Sequence, residues 1–261
     1  MIKRDFHMHT IFCDGKASAE DMVLAAISKG MDVMGFSGHA YTSGDVSWCM
    51  SLENTEKYIA EISRLQIKYA GQIRILLGTE VDYFSDGPLD GYDYKIGSVH
   101  YVKIGGRLYG IDDSAEEQRR IADEHFGGDL MALAELYYAQ EANILLRTGA
   151  DIIGHFNLIE KFNEKDCMYD SSSERYRKAW QTAADVLLTY GKPFEINTGA
   201  ISRGYRTEPY PSKEMMRYIA DRGGSFILSS DSHSTETLLY GFEECETYAS
   251  GHGLKLLDSP V

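Results

Sequence analysis

Positive charge is scarce in this chain. Its 261 residues include 26 lysines and arginines against 40 aspartates and glutamates, a formal net charge of −14 at pH 7. No stripe of five or more basic residues occurs, and a partner held through phosphate-backbone contacts needs one, so no nucleic-acid partner is expected. Long apolar runs are missing too. None reaches the roughly 18 residues a spanning helix requires, and MIKRDFHMHT lacks the apolar core of a secretory signal. We therefore expect a cytoplasmic protein with no membrane partner. Cysteine is sparse: Cys13, Cys49, Cys167 and Cys245 form no CxxC pair, which argues against a zinc ribbon, a dithiol redox motif and disulfides. Cys13 stands out only because it adjoins Asp14.

What remains is an ordinary globular mixture, 43% hydrophobic and 25% charged, with enough apolar residues for a large core. A barrel of alternating strands and helices reaches this length in one unit, so one domain over residues 1–261 is expected.

The chain is organised around DFHMHT, residues 5–10. If the preceding IKRDF is a strand, its side chains repeat every second residue, and the imidazoles of His7 and His9 leave on one face. Two converging imidazoles are half of a metal site, so the rest of the chain has to supply the other ligands.

The expected elements do so in rotation. SAEDMVLAAISKG (18–30) reads as a helix, with Ser18 to cap it, Glu20 and Asp21 in its first turn and Gly30 at its end. The strand VMGFSGHA follows and ends in His39. A helix at 54–70 leads to the strand IRILLG and to Glu80, DYKIGSVHYV forms a strand with His100 near its end, and RLYGI makes a hairpin with it. One long helix, DLMALAELYYAQEANILLRTG, precedes ADIIGH with His155. Helices at 174–190 and 212–222 precede KPFEINTG and GSFILSSDSH, and the last helix runs over 235–250. About seven strands alternating with helices imply a mostly parallel α/β barrel, whose site lies on the rim formed by the C-terminal ends of its strands.

His7, His9, His39, His100, His155 and His233, six of the eight histidines, fall at or just past such an end; His125 and His252 do not. Glu80 and Asp231 share the placement. A cluster of imidazoles and acids on one rim is costly unless cations hold it. Histidine and carboxylate without thiolate suit zinc, manganese or iron. Eight ligands, or nine with Asp14, exceed the needs of one ion and point to two or three. Paired ions are the usual equipment of enzymes that cleave phosphate esters.

These residues resemble the polymerase and histidinol phosphatase (PHP) superfamily, whose motifs appear here in order as HMH, SGHA, GTE, SVH, GHF and DSH. The longer stretches DGYDYKIGSVHYV, GADIIGHFNLIEKFN and FEINTGAISRGYRTEPYPS resemble its histidinol phosphatase branch. The resemblance implies a distorted (β/α)7 TIM-like barrel with three ions: one on His7, His9, Glu80 and Asp231, a second on the bridging Glu80 with His100 and His155, a third on His39, His233 and Asp14. Gly38 and Asn157 depart from the aspartates that relatives carry there.

The loop NTGAISRGYRTEPYPS (197–212) brings Arg203 and Arg206 to the rim, and guanidinium forks suit phosphate oxygens. Lys161 is a second candidate for that task. Among the 18 tyrosines, Tyr138, Tyr176 and Tyr218 are expected to pack in helices, while Tyr101, Tyr205 and Tyr210 adjoin the rim and are candidates for substrate contact. The expected function is hydrolysis of a small phosphate monoester, L-histidinol phosphate by resemblance. Glu80 would bridge the ions, Arg203 would neutralise the phosphoryl group, and a metal-bound water, or Asp231 or His233 displaced from its ion, could hand a proton to the leaving alcohol. A phosphoesterase acting on nucleotides, an amidohydrolase, or a metal-binding scaffold without turnover are the alternatives. Nothing in the pattern sets an oligomeric state.

Overall fold

The computed structural model describes residues 2–44 and 48–260. In chain order these form β1 (Arg4–Asp5), α1 (Ala19–Ser28), β2 (Val33–Phe36), α2 (Leu52–Lys68), β3 (Arg74–Asp82), β4 (Tyr94–Ser98), β5 (Tyr101–Ile104), β6 (Arg107–Gly110), α3 (Ala115–Phe126), α4 (Leu130–Glu141) and α5 (Ile144–Thr148). β7 (Ile152–Ile153), α6 (Asn163–Asp166), α7 (Glu174–Leu188), β8 (Phe194–Asn197), α8 (Gly199–Ser202), α9 (Lys213–Asp221), β9 (Ser225–Ser229), α10 (Phe242–Gly251) and β10 (Lys255–Leu256) follow. Among the described residues no helix is long and apolar enough to cross a membrane.

Eight strands run parallel in the order β1-β2-β3-β4-β7-β8-β9-β10, and β5 pairs with β6 in a separate antiparallel hairpin. The sheet curls until its first and seventh strands meet at the rim. Beyond β1, His9 N–H donates to the Ser232 carbonyl at 2.8 Å and Ser232 N–H donates to the His7 carbonyl at 3.1 Å. Buried Asp5 ties the same seam, accepting from the Ser230 backbone at 3.1 Å and from its hydroxyl, while burial pushes its pKa up to about 6. At the opposite end β10 pairs with the start of β9. The result is the TIM-like α/β barrel expected, seven strands closing around the rim with an eighth at the floor.

Strand periodicity decides which side chains enter. On β3, Ile75 and Leu77 pack outward against α1 and α2, while Leu76 faces inward with Phe6, Tyr94, Ile96, Ile152 and Ile227. Glu80 and Asp82 share the inward parity of Leu76, two and three steps nearer the rim. The floor is plugged by Tyr94. Its hydroxyl donates to the Phe6 and Phe36 carbonyls at 2.5 and 3.0 Å, and its ring lies where a Cβ on Gly35 or Gly78 would come within 2.4 or 2.3 Å of it.

Several expected boundaries shift. The strand DYKIGSVHYV divides after Ser98, because Asp82 takes the His100 N–H at 2.8 Å and turns the chain, so β5 leaves the barrel for its hairpin. The long helix breaks at Asn143 into α4 and α5. Helix α3 was not expected, although its signals are present: Ser114 accepts from Glu117 N–H, Glu116 and Glu117 lie in the first turn, and Gly127 ends it at φ 61°. The last helix starts only at Phe242, since Leu239 and Gly241 adopt φ of 61° and 69°.

Two predictions follow from this packing. Gly78→Ala puts a methyl group into the Tyr94 ring and should cost about 1–3 kcal/mol, lowering the thermal midpoint by roughly 2–4 °C per kcal/mol; an unchanged midpoint refutes the floor packing. Glu141 is fully buried against Tyr137, which donates to it at 2.8 Å, and burial raises its pKa well above 4.5. The folded state keeps a proton that the unfolded chain releases near pH 4.5, so stability is lost as pH rises above that value. Denaturant titrations should find Glu141→Gln gaining on the parent between pH 5 and 8; a constant gap across that range contradicts the assignment.

Candidate metal centre

The inward positions at the top of the barrel carry the chemistry. Glu80, 1% exposed, stands at the centre. Its Oε2 lies 3.0 Å from His7 Nε2, 3.0 Å from His39 Nδ1 and 3.5 Å from His9 Nε2. Its Oε1 lies 2.9 Å from His155 Nε2 and 3.4 Å from His100 Nε2, and accepts from the Ser98 hydroxyl at 2.6 Å. Asp231 Oδ1 is 3.3 Å from His9 Nε2 and 3.6 Å from His233 Nδ1. Asp14 Oδ2 is 3.0 Å from His233 Nε2, and its Oδ1 lies 3.6 and 3.7 Å from His9 and His39. All nine residues expected from the sequence are thus brought to one place.

These spacings fit divalent ions. Two ligands held about 2.1 Å from a common tetrahedral ion stand about 3.4 Å apart, and the imidazole-to-carboxylate distances here scatter around that value. His9 Nε2 is buried and faces Glu80 and Asp231 without a hydrogen bond, and His155 Nδ1 is equally unpartnered. Three groups have their ligand atoms within 4.8 Å of one another: His7, His9 and Glu80; His39, Glu80 and His100; and His9, Asp14, His39 and His233. His39 therefore reaches Glu80 as well as Asp14, so two of the groups share it where the resemblance gave it to one.

Electrostatics explains why these side chains tolerate burial together. Desolvation alone would raise the pKa of Glu80, yet His7, His39 and His100 hold it well below the carboxylate range. The same contest, decided by Arg203 and His7, keeps Asp231 ionised. His9, pressed by burial and by His233 and His39, falls to about 3 and stays neutral, the form in which imidazole binds a metal.

Arg203, on the loop after β8, is bound into the cluster, its guanidinium donating to the Asp231 carbonyl and Oδ2 at 2.8 and 2.9 Å and lying 3.1 Å from His233 Nδ1. Lys161 reaches the cavity wall, but its ammonium donates to the Asp112 carbonyl at 2.7 Å and Oδ2 at 3.3 Å, with the Tyr205 ring 5.0 Å away. Tyr205 lines the same cavity, which measures about 340 Å³. Arg206 does not join them. It is buried against Glu160, 3.1 Å away, and lines a separate cavity beside Tyr176 and Trp180, because the chain turns between Arg203 and Arg206. Asn157 and Gly38 also face elsewhere: Asn157 donates to Glu160 Oε2 at 2.6 Å, where an aspartate would set two carboxylates together, and Gly38 packs near Met50 and Tyr58.

Three contributors escaped the sequence reading. Glu195 on β8 accepts from His7 Nδ1 at 2.7 Å and from His155 N–H at 3.0 Å, which fixes the tautomer that turns His7 Nε2 toward Glu80. Asp82 lies 3.4 Å from His100 Nδ1 without a hydrogen bond to it, and holds that residue by accepting from its backbone N–H at 2.8 Å. Trp48 meets His39 and His100 edge-on, with centroids 4.4 and 4.9 Å away. The signals were a carboxylate inside the apolar strand FEIN, and a second acid two residues beyond Glu80 on the same face.

The model of the PHP domain family matches residues 5–199. The chain belongs to that family. It is 30% identical over 257 residues to the "Probable histidinol-phosphatase" of Deinococcus radiodurans, covering 92% of this chain and 90% of the relative. With the histidinol-phosphatase of Bacillus subtilis it shares 26% identity over 93% of this chain and 98% of the other. A crystal structure of the Lactococcus lactis histidinol phosphate phosphatase complexed with zinc, L-histidinol and phosphate superposes with a TM-score of 0.74 at 20% identity, covering 98% of this chain and 95% of that one. Asp231 and His233 lie beyond the part matched to the PHP domain, and barrel closure through Met8 and Ser232 brings them to it.

The cluster predicts metal-linked stability. Because ions bind the folded state, saturation to about 100 times the dissociation constant should add about 2.7 kcal/mol, so chelator treatment should lower the thermal midpoint and added zinc or manganese should restore it. Glu195→Gln keeps the shape of the side chain but weakens its hold on His7, and metal titration should show affinity about 10- to 100-fold lower. Wild-type affinity in that variant would refute the orienting role.

Proposed function

We propose that this PHP-domain protein is a metal-dependent phosphatase that converts L-histidinol phosphate and water to L-histidinol and inorganic phosphate. The observation that carries this reading is the placement of Arg203 on the edge of a nine-residue metal-ligating cluster, in a chain whose full-length relatives include histidinol-phosphatases. The whole chain is read as one catalytic barrel.

The ions would be held by His7, His9, Asp14, His39, Glu80, His100, His155, Asp231 and His233, and when bound they would supply Lewis-acid polarisation of the phosphoryl group and a water acidic enough to attack it. The chain's own groups do the rest. Glu195 orients the His7 imidazole, and Asp82 holds the backbone of His100. Arg203, held by both the carbonyl and the carboxylate of Asp231, presents a fixed positive charge to the phosphoryl oxygens. His233, half-exposed between Asp14 and Asp231, could relay a proton to the departing alcohol oxygen only while it is not holding an ion. Hydrolysis forms a bond from the oxygen of the attacking water to phosphorus and breaks the phosphorus–ester oxygen bond, and the proton that the water gives up ends on the alcohol. Asp112, Asp113, Leu158, Lys161 and Tyr205 line the same cavity and shape the space for the organic half. Acidic groups there suit a substrate whose organic half carries an amine.

A phosphate-release assay on zinc- or manganese-loaded protein should give kcat/KM for L-histidinol phosphate at least about 100-fold above sugar phosphates, nucleotides and an aryl phosphate, equal to about 2.7 kcal/mol of discrimination. Flat or nucleotide-biased activity would discard this substrate. Glu80→Ala should cost more than the roughly 100-fold loss set by an orienting residue, and Arg203→Ala should lower kcat/KM about 100-fold, as expected for a lost charge-assisted hydrogen bond worth about 1.5–3 kcal/mol. Normal turnover in Glu80→Ala would sink the shared-ligand arrangement.

A further inference from the structure

Six tyrosines among the described residues are less than 2% exposed. Five have a hydrogen-bond partner for the hydroxyl: Tyr58 donates to the Gly78 carbonyl at 2.8 Å, Tyr94 to two carbonyls, Tyr137 to Glu141, and Tyr138 and Tyr176 share a bond of 2.8 Å. The sixth is Tyr210, whose hydroxyl has no hydrogen-bond partner among the described residues. Leaving a buried hydroxyl unpaired is costly, and native structures rarely do so without a reason.

Its surroundings show what that reason is. Tyr210 lies on the wall of the metal-centre cavity with Arg203, His155 and Asp112. The backbone is pinned to β8, Asn197 N–H donating to the Tyr210 carbonyl at 2.7 Å and Tyr210 N–H to the Asn197 carbonyl at 3.0 Å. The ring is held as firmly: His155 meets it at 70° with centroids 6.2 Å apart, and the Arg206 guanidinium carbon lies 5.0 Å from its centre. A rigid O–H therefore stands on the same wall as Arg203. Burial raises the pKa of this hydroxyl against the opposing pull of Arg206 and Arg203.

We propose that Tyr210 is a substrate-binding residue whose hydroxyl donates a hydrogen bond to a phosphoryl oxygen of the bound ester, beside Arg203. This assignment rests on the phosphatase reading above. Phosphoryl oxygens are charged acceptors, and an O–H bond to a charged oxygen is short and strong.

The test compares the zinc- or manganese-loaded wild type with Tyr210→Phe in three measurements: the thermal midpoint without phosphate, the affinity for inorganic phosphate by calorimetry, and kcat/KM for a phosphate monoester. The variant loses no bond within the chain, so its midpoint should stay the same or rise, while phosphate affinity and kcat/KM should each fall about 10- to 100-fold. Phosphate affinity and kcat/KM within about twofold of the wild type would overturn the assignment alone, leaving the phosphatase intact and the hydroxyl without a substrate role. A midpoint that falls together with activity would overturn it in favour of a structural role. A wild type that binds no phosphate and cleaves no ester would remove the phosphatase reading and this assignment with it.

Discussion

The structure depends on how a buried carboxylate is kept charged. Glu80 sits at the top of the barrel with almost no access to water, where an isolated anion would take up a proton instead. Five imidazoles from four different stretches of chain surround its two oxygens within 3.5 Å. Nothing in Glu80 itself requires so many partners, but a shared ligand between cations does. Asp231, Asp14, Glu195 and Asp82 then fill the positions around those imidazoles, so that acids and bases alternate outward from one central group.

A curled parallel sheet is what makes this arrangement possible. Each strand delivers its end to the same rim, and inward parity places Glu80 and Asp82 on β3, and Glu195 and Asn197 on β8, on facing walls. The lower barrel is apolar and plugged by Tyr94, whose hydroxyl joins the chain at Phe6 and Phe36. Rigid packing below holds the polar groups above in register. The seam at His7, His9, Ser230 and Ser232 serves both purposes: the bonds that close the barrel are made by the residues that carry ligands or flank them.

The cavity above the cluster is lined by groups of both kinds. Arg203 and Tyr210 offer donors, while Asp112 and Asp113 bring negative charge. A molecule with an anionic end and an amine-bearing end matches both. The chain's net charge of −14 leaves little general attraction for phosphates, so recognition falls to a few fixed groups rather than to a broad positive surface.

Much of this was legible in order of residues. The HMH pair, the histidines after apolar runs, Glu80 and the closing DSH marked the cluster that could hold ions, because metal chemistry constrains residue type and strand ends constrain position. Alternating apolar segments marked the barrel for a similar reason, since burial on both faces leaves a periodic trace. Tertiary structure alone decided the rest. Arg203 and Arg206 look equivalent three residues apart, yet the turn between them sends one to Asp231 and the other to Glu160. Lys161 looked like a free cation until Asp112, 49 residues away, was found bonded to it. Tyr210 was marked only by its place at the rim and Glu195 only by its charge inside an apolar strand, because what matters in each is a missing partner or a partner across the barrel. Local sequence determined which groups reach the rim; long-range packing decided which of them remain available for chemistry, since a charge or hydroxyl is defined by the atoms that meet it.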